Sequence, residues 1–520
     1  MTDPSRPSPI EKAWARALLS IVSGVALALA FPNASITVLA FFALTPVIIV
    51  AVRSPGWWGA VWAGWITITV TWLINVPWVI AVMSEQGGLP LPAGIAIFTA
   101  MCAILGIYGS AFTLLVWLLR LGRNPLPWLI VPLLWIVVEY ARTYLLTGFA
   151  WNLLAVTIVD HPFVQIAPWV GPYVLGAMIV VPTVAAAWLL TNRPAFNRAI
   201  GAIVAVGIYL TVWGAIGVVL LDVDDAHEAG ELRVAAIQPN IPLETRWDPE
   251  NTIRIFELMR EMTVEGIEQG AETVVWPEST VPLTYAMTDF YRDWVEVTSE
   301  VENVDIILGS IAEDPDDADL FWNSAYLVRE GETTARYDKI RLVPFGEYVP
   351  LRKMLFFAEK LVRAVGEFQF GTSDEPLAGN ARYGPAICYE VVFPQIVSEQ
   401  VRNGADLLVT ITNDSWFGES SAQRQHLDGA RLGAIETRRW MVRAATTGIS
   451  AIVDPAGRIV EIQPSDTRGI LVHEVKRRSG ITPYVRYGDV LAIVGILLAA
   501  VAVVLRSGAL TSRLRRTSAG

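Results

Sequence analysis

Charge, cysteine and histidine are all scarce in this chain, and each shortage excludes a class of protein. Only 17% of the 520 residues are charged, well below the roughly 25% of an ordinary soluble domain. The two cysteines exclude a disulfide scaffold, and the four scattered histidines argue against a histidine-based metal site. The formal charge of −11 argues against nucleic acid as a partner, because nucleic-acid-binding surfaces are basic.

Hydrophobic residues, in contrast, make up 53% of the chain, and the charges are concentrated in one segment. Residues 222–486 hold 26 Lys/Arg and 44 Asp/Glu, a net charge of −18, whereas the rest holds 13 and 6, a net charge of +7. Long apolar runs fill that rest, and most reach the roughly 20 residues that a helix needs to cross a bilayer. They predict eight membrane spans, near residues 18–32, 34–52, 58–81, 93–119, 125–146, 163–191, 199–221 and 488–505.

The chain is therefore predicted to have three parts. Residues 1–221 form an N-terminal transmembrane domain of about seven spans, and residues 488–520 form a C-terminal span with a basic tail. Between them, residues 222–487 form a large domain outside the bilayer, long enough to have a core of its own.

The Lys and Arg residues near the spans predict their orientation. Basic residues precede the first span and follow the second, fourth, sixth and eighth, whereas the loops at 82–92 and 147–162 contain none. Basic loops remain in the cytoplasm. We therefore expect a multi-pass protein of the cell (plasma or inner) membrane, with both termini cytoplasmic and residues 222–487 on the extracytoplasmic face.

Two charged residues, Glu139 and Arg142, fall in or near the outer half of the fifth predicted span. Residues at i and i+3 share a helix face and can pair, which reduces the cost of burying either charge. One interpretation is a structural ion pair. The other is a polar contact to a lipid head group or to the outer domain.

The outer domain alternates short apolar strands with helices, which is typical of an α/β fold. Helices are predicted over 249–268, 393–403 and 423–445, where the apolar residues recur at helical spacing. Strands are predicted over 232–238, 272–276, 304–309, 324–328, 383–388, 406–412 and 448–453.

Three residues in this domain are candidates for chemistry. Glu278 follows a predicted strand in W-P-E, Lys339 lies in Y-D-K, and Cys388 ends a strand in I-C-Y-E. Taken singly, such a glutamate or lysine is usually solvated, and such a cysteine is usually a small core residue. An unpaired thiol outside the cytoplasm is a liability unless it has a role, however, and Cys102 lies in a predicted span where it cannot pair with Cys388. A cysteine, a base and a cation would make a covalent acyl-transfer site.

The order and contexts of these residues resemble those of the nitrilase, or carbon–nitrogen hydrolase, superfamily. The string L-V-P-F-G-E-Y-V-P at 342–350, Q-P-N at 238–240 and N-D-S-W-F-G at 413–418 narrow the resemblance. So do Gln425-His426, Arg431, Glu436-Thr437-Arg438 and Gly448-Ile449-Ser450. With these motifs, the predicted spans and G-F-A-W at 148–151, the chain resembles the apolipoprotein N-acyltransferase family, which is the membrane-embedded branch of that superfamily.

The resemblance implies an α-β-β-α sandwich and a Glu278–Lys339–Cys388 triad. In the implied reaction, Cys388 takes an acyl chain from a phospholipid, with Glu278 as base and Lys339 stabilising the oxyanion. The thioester then acylates the α-amine of a diacylglyceryl-cysteine at the N-terminus of an apolipoprotein. No metal or other cofactor is implied.

Four further residues are assigned by the same resemblance. Glu347 and Glu390 would support the triad, and Trp247 and Tyr389 would line the lipid site. The alternatives are a core position for Trp247 and an orienting role toward Lys339 for Glu390. The apolar segment 354–370 is either a buried helix or a lid at the bilayer edge.

Two other functions compete with this one. A membrane-tethered amidase or nitrilase would use the same triad but would not need the P-F-G-E-Y loop. A transporter or receptor with an outer sensory domain would be expected to carry several intramembrane charges, yet Glu139 and Arg142 are nearly alone. No sequence feature specifies an oligomeric state.

The predicted orientation can be tested with reporter fusions. A reporter that is active only outside the cytoplasm should work when it is fused near Thr333 and should fail after Arg516, because the basic loops retain the termini inside. The opposite pattern of activity would contradict the assignment of residues 222–487 to the outer face.

Overall fold

The computed structural model describes residues 12–222, 227–246, 248–314, 316–317, 320–349 and 368–517. The chain divides into two compact units. One falls within residues 1–80, 90–220 and 489–520, and the other comprises residues 81–89 and 221–488. The short segment 81–89 therefore belongs with the α/β part of the chain, although the residues on both sides of it belong with the helices.

The first unit is helical, and seven of its described helices are long and apolar enough to cross a membrane. The second predicted span, near residues 34–52, is a broken pair of short helices, Thr37–Ala40 and Thr45–Arg53, with Pro46 in the first turn of the latter. The long helices are Ala13–Ala30, Trp57–Asn75, Leu91–Leu118, Leu126–Tyr144, Pro162–Asn192, Phe196–Val219 and Val490–Ser507.

Small residues let two of these helices approach closely. Trp57–Asn75 and Leu91–Leu118 meet where Gly64 faces Gly109. A Cβ atom on Gly64 would lie 2.0 Å from the carbonyl oxygen of Gly109, so a larger residue there would push the helices apart. Such contacts are a common way to pack helices in lipid, where the hydrophobic effect does not drive helices together.

Glu139 and Arg142 form an ion pair of 3.7 Å and are both buried. Arg142 donates hydrogen bonds to the carbonyl oxygens of Phe149 and Trp151, at 2.8 and 2.6 Å. Glu139 accepts one of 2.7 Å from the N–H of Leu154. The pair thus holds the irregular backbone that follows its helix, which favours the structural interpretation over a contact with a lipid head group.

The second unit is built on two six-stranded sheets, whose strand orders are β12-β1-β2-β3-β4-β5 and β11-β10-β9-β8-β7-β6. A single apolar cluster joins them, with Val234 and Ile307 from the first sheet and Val409 and Val442 from the second. The strands are β1 (Glu228–Gln238), β2 (Thr273–Val275), β3 (Asp305–Glu313), β4 (Phe321–Arg329), β5 (Glu332–Asp338), β6 (Leu377–Ala378), β7 (Arg382–Ile387), β8 (Leu407–Thr412), β9 (Met441–Ala445), β10 (Ser450–Val453), β11 (Ile459–Gln463) and β12 (Gly469–Arg478).

Helices cover the outer faces of both sheets. Thr252–Glu268 and Asp289–Glu302 pack on the first sheet through a second apolar cluster. Pro394–Arg402 and Ser421–Thr437 pack on the second sheet. These four layers confirm the predicted α-β-β-α sandwich.

One predicted element is wrong in its second half. The helix expected over 423–445 ends at Thr437, because Arg438 adopts a left-handed conformation with φ of 52°. Residues Met441–Ala445 form β9 instead, parallel to β8 and antiparallel to β10. A fully buried central strand has apolar residues on both faces, so its sequence does not alternate and is easily taken for a helix.

Candidate active site

The three candidate residues follow the ends of three strands. Glu278 comes after β2 and Lys339 directly after β5, both in the first sheet, and Cys388 directly after β7 in the second. Only 7%, 1% and 8% of their respective surfaces are exposed. The facing sheets therefore bring a carboxylate, an amine and a thiol together in a site with little access to water.

The ammonium group of Lys339 lies between two carboxylates. Its Nζ is 2.8 Å from Oε1 of Glu347 and 3.4 Å from Oε1 of Glu278. Burial alone would lower the pKa of Lys339, but the negative charges of Glu347 and Glu278, with a smaller effect of Cys388, outweigh burial and raise it. Lys339 therefore holds a fixed positive charge next to the thiol.

Glu347 also organises the loop that carries it. Its Oε2 accepts a 2.7 Å hydrogen bond from the N–H of Val343, while Oε1 binds Lys339. The P-F-G-E loop thus folds back on the carboxylate of its own glutamate, and this brings Glu347 to the lysine. The predicted supporting position of Glu347 is consistent with these contacts.

The amide of Asn323, on β4, links the two carboxylates. Its Nδ2 donates to Oε1 of Glu278 at 2.6 Å and to Oε1 of Glu347 at 2.9 Å. Sequence reasoning missed this residue. The available signal was a polar residue in the strand F-W-N-S-A, where the period of two would otherwise favour burying an apolar side chain.

The second oxygen of Glu278 faces the other sheet. Oε2 accepts a 2.8 Å hydrogen bond from the backbone N–H of Asn413, which follows β8. Each carboxylate oxygen has two acceptor positions. Both acceptor positions of Oε1 are occupied, by Asn323 and Lys339. Oε2 accepts from Asn413 with one position, and its second position is open to a proton.

Cys388 has a strained backbone and a shielded thiol. Its φ of +52° is rarely adopted by non-glycine residues and is found at functional sites. Burial raises the pKa of the thiol, as do the charges of Glu278 and Asp414, whereas Lys339 and a hydrogen bond with Thr412 lower it. The group is therefore a neutral thiol that needs a base before it can act as a nucleophile.

Glu390 is fully buried and ties together the backbone on either side of the site. Its carboxylate accepts hydrogen bonds from the N–H groups of Ile340, Arg341 and Ile387, at 2.6, 3.0 and 2.8 Å, and from the hydroxyl of Tyr337 at 3.0 Å. Burial raises the pKa of Glu390, the three backbone donors partly offset this effect, and the net pKa is about 7. This arrangement orients the segment after Lys339 relative to the strand before Cys388.

The remaining predicted positions are less informative. Tyr389 is mostly buried and packs edge-on against Phe393, with 4.9 Å between the ring centroids. Trp247 lies outside the described residues. So do residues 354–367, which make up most of the segment 354–370 that was predicted to be a lid or a buried helix. Within the described ranges there is no group of three or more His, Cys, Asp or Glu side chains that could hold a metal ion.

Comparisons with known proteins define the class first. Residues 233–482 match the family model described as Carbon-nitrogen hydrolase, and residues 23–186 match that of the apolipoprotein N-acyltransferase N-terminal domain. The α/β unit is therefore a carbon–nitrogen hydrolase domain. The helices that precede it in the chain match the N-terminal domain found in apolipoprotein N-acyltransferases. Among solved structures, a cysteine mutant of a Nesterenkonia amidase from the nitrilase superfamily is 19% identical, covering 50% of this chain and 95% of its own, with a TM-score of 0.38.

Full-length relatives identify the family. The chain is 35% identical to the apolipoprotein N-acyltransferase of Geobacter metallireducens over 488 residues, which cover 91% of this chain and 92% of the relative. It is 32% identical to that of Pseudomonas putida, with 93% and 96% covered. The chain therefore belongs to the apolipoprotein N-acyltransferase family.

The link through Asn323 generates a testable prediction. Replacing it in Asn323→Leu keeps the size but removes both donors, so Glu278 and Glu347 lose their shared hydrogen-bond donor and should no longer be held in register around Lys339. We expect the rate of acyl-adduct formation on the protein to fall by about 10-fold or more, measured by intact mass over time.

A matched variant separates this effect from general damage. Asn403→Leu removes an amide that donates only to the carbonyl oxygen of Asp374, on another part of the domain. It should leave adduct formation unchanged. Equal rates in Asn323→Leu and the unmodified protein would show that the amide link does not matter.

Proposed function

We propose that this chain transfers a fatty acyl chain from a phospholipid to the N-terminal amine of the diacylglyceryl-cysteine of apolipoproteins, through a thioester on Cys388. Membership of the apolipoprotein N-acyltransferase family over about nine-tenths of the chain is the observation that carries this proposal. The buried Glu278, Lys339 and Cys388 supply the groups that such a reaction needs.

In the first half-reaction, Oε2 of Glu278 takes the proton of the Cys388 thiol. The thiolate attacks the ester carbonyl carbon of the phospholipid, and the negative charge moves to the carbonyl oxygen. Lys339 stabilises that oxyanion, an effect worth roughly 10²–10³ in rate for a fixed donor in a site with little water. When the intermediate collapses, the lysophospholipid oxygen leaves with the proton from Glu278, and the acyl group stays on sulfur.

In the second half-reaction, the α-amine of the diacylglyceryl-cysteine attacks the thioester. Glu278 accepts a proton from the attacking nitrogen, Lys339 again stabilises the oxyanion, and the Cys388 sulfur leaves and regains a proton. The products are the triacylated lipoprotein and the free enzyme. The thioester is more reactive toward an amine than the oxygen ester that was consumed.

Burial of the site supports transfer rather than hydrolysis. A thioester in a site largely closed to water is protected until an amine arrives. The family match also extends over the membrane helices, at residues 23–186. A membrane-tethered amidase, or a transporter or receptor, would not be expected to match this family there, so neither alternative function is favoured.

The extracytoplasmic location belongs to the same proposal. Residues 81–89 connect two candidate membrane helices and belong to the same compact unit as residues 221–488. A unit outside the bilayer lies on one side of the membrane, and the loop at 82–92 carries no Lys or Arg, as expected of an outer loop. With the broken pair Thr37–Arg53 taken as an eighth crossing, we place the candidate site on the outer face and both termini in the cytoplasm.

The two cysteines provide an internal comparison for the covalent step. Cys388→Ala should abolish acylation of a diacylglyceryl peptide, because no thioester can form. Cys102→Ala should leave acylation nearly intact, because Cys102 is buried in a membrane helix. The measurement is the mass gain of the peptide with a phospholipid donor, and substantial activity of Cys388→Ala would rule out the thioester route.

A further inference from the structure

A buried polar group lies behind Cys388 and takes no part in the mechanism above. The Nε2 atom of His426 is 2.9 Å from the backbone carbonyl oxygen of Cys388. Its Nδ1 is 3.1 Å from Oδ1 of Asp414 and 3.1 Å from a guanidinium nitrogen of Arg443. The same guanidinium nitrogen is 2.6 Å from Oδ2 of Asp414. None of these three side chains is exposed to solvent.

The partner of Nε2 shows that this nitrogen of His426 carries a hydrogen. The carbonyl oxygen of Cys388 can only accept, so Nε2 must carry a hydrogen and donate it. On the other side of the ring, Nδ1 lies 3.1 Å from both Oδ1 of Asp414 and the guanidinium group of Arg443, and these two side chains fix the orientation of the imidazole. His426 is thus oriented by Asp414 and Arg443 so that one N–H points at the backbone of the nucleophile.

The carboxylate of Asp414 is held in place by several neighbours. Burial alone would raise the pKa of Asp414, but Arg443 and His426 lower it well below its usual range, so Asp414 stays ionised. Thr412 donates a 2.7 Å hydrogen bond to Oδ1 of Asp414. A Cβ atom on Gly448 would lie 2.4 Å from Oδ2 of Asp414, so glycine at 448 is needed for the carboxylate to fit.

We propose that His426, oriented by Asp414 and Arg443, is a positioning residue that holds the Cys388–Tyr389 peptide plane, and with it the thiol, in the reactive arrangement. This inference rests on the proposed function of Cys388 as the nucleophile. His426 contacts Cys388 through its carbonyl oxygen, at 2.9 Å, and therefore acts on the thiol through the backbone.

The backbone of Cys388 explains why such an anchor is needed. Its φ of +52° is unfavourable for a residue with a Cβ atom, so the surrounding structure must hold it in place. Glu390 fixes the residue before it, through the N–H of Ile387 at 2.8 Å. His426 fixes its carbonyl, so the Cys388–Tyr389 peptide is held directly and the Ala386–Ile387 peptide is held by Glu390.

Two variants of similar size separate positioning from packing. In His426→Gln, the side-chain Nε2 reaches about as far as that of histidine and can still donate to the carbonyl oxygen of Cys388. In His426→Asn, the amide is one carbon shorter and cannot. Both are made in a Cys102→Ala background, so that Cys388 is the only thiol.

The readout is the rate at which Cys388 gains an acyl group from a phospholipid, at a temperature where both variants are folded. We expect His426→Gln to retain most of the rate and His426→Asn to lose about 10²-fold, as a displacement of about 1 Å can cause. The KM for the phospholipid should be unchanged in both. Should His426→Asn fail to fold, Asp414→Asn, which keeps His426 but removes its charged partner, replaces it with the same expected direction.

Equal rates in the two variants, or rates that follow only the loss of thermal stability, would overturn the proposal. Alkylation of Cys388 by iodoacetamide is measured in parallel and should rank the variants in the same order. If the unmodified protein forms no adduct with phospholipid, the proposed function fails, whereas the alkylation rates still decide whether His426 positions the thiol.

Discussion

The buried ion pair of Lys339 with Glu347 and Glu278 is the interaction on which the rest of the site depends. An ammonium group that is 1% exposed is strongly destabilised unless carboxylates compensate it, and removing one partner from such a group typically costs about 3–5 kcal/mol. The fold meets this requirement with two carboxylates and the bridging amide of Asn323. The segments that follow β2 and β5 are thereby linked to the beginning of β4.

The second sheet carries Cys388, the proposed nucleophile, and two separate groups of side chains that contact its backbone. Glu390 binds the backbone before Cys388 and the segment after Lys339, so it sets the distance between the two sheets' contributions. The group of Asp414, His426 and Arg443 lies behind the thiol. The charged groups therefore fall into two sets. Glu278, Glu347 and Lys339 lie at the candidate site itself. Asp414 and Arg443 instead contact His426, which binds the backbone of Cys388.

The sequence was most informative where a physical pattern is local. Long apolar runs predicted the membrane helices, because crossing a bilayer needs about 20 consecutive apolar residues. Pro46 and the turn around residues 41–44 broke the second of them. The sandwich and the contact of Glu278 with Lys339 were expected only through the resemblance, and the structure brings those two residues together. Their catalytic roles remain predictions.

What the sequence could not indicate depends on contacts between distant segments. Asn323 lies 45 residues from Glu278 along the chain, and the pairing of β3 with both β2 and β4 makes them neighbours. The strand Met441–Ala445 does not alternate between apolar and polar residues, because it is buried on both faces, and its sequence therefore also fits a helix. His426 belongs to the Gln425-His426 motif, but its contact with the carbonyl oxygen of Cys388 spans 38 residues, and no local pattern predicts it.

The most direct test of the account is a pulse and chase on the purified full-length protein. The protein is first incubated with phospholipid alone, and its intact mass should rise by one acyl group that maps to Cys388. A diacylglyceryl peptide is then added without further phospholipid, and the acyl group should move from the protein to the peptide amine in equal amount. Acylated peptide that appears with no adduct ever detected on Cys388, or an adduct that the peptide cannot discharge, would contradict the thioester mechanism.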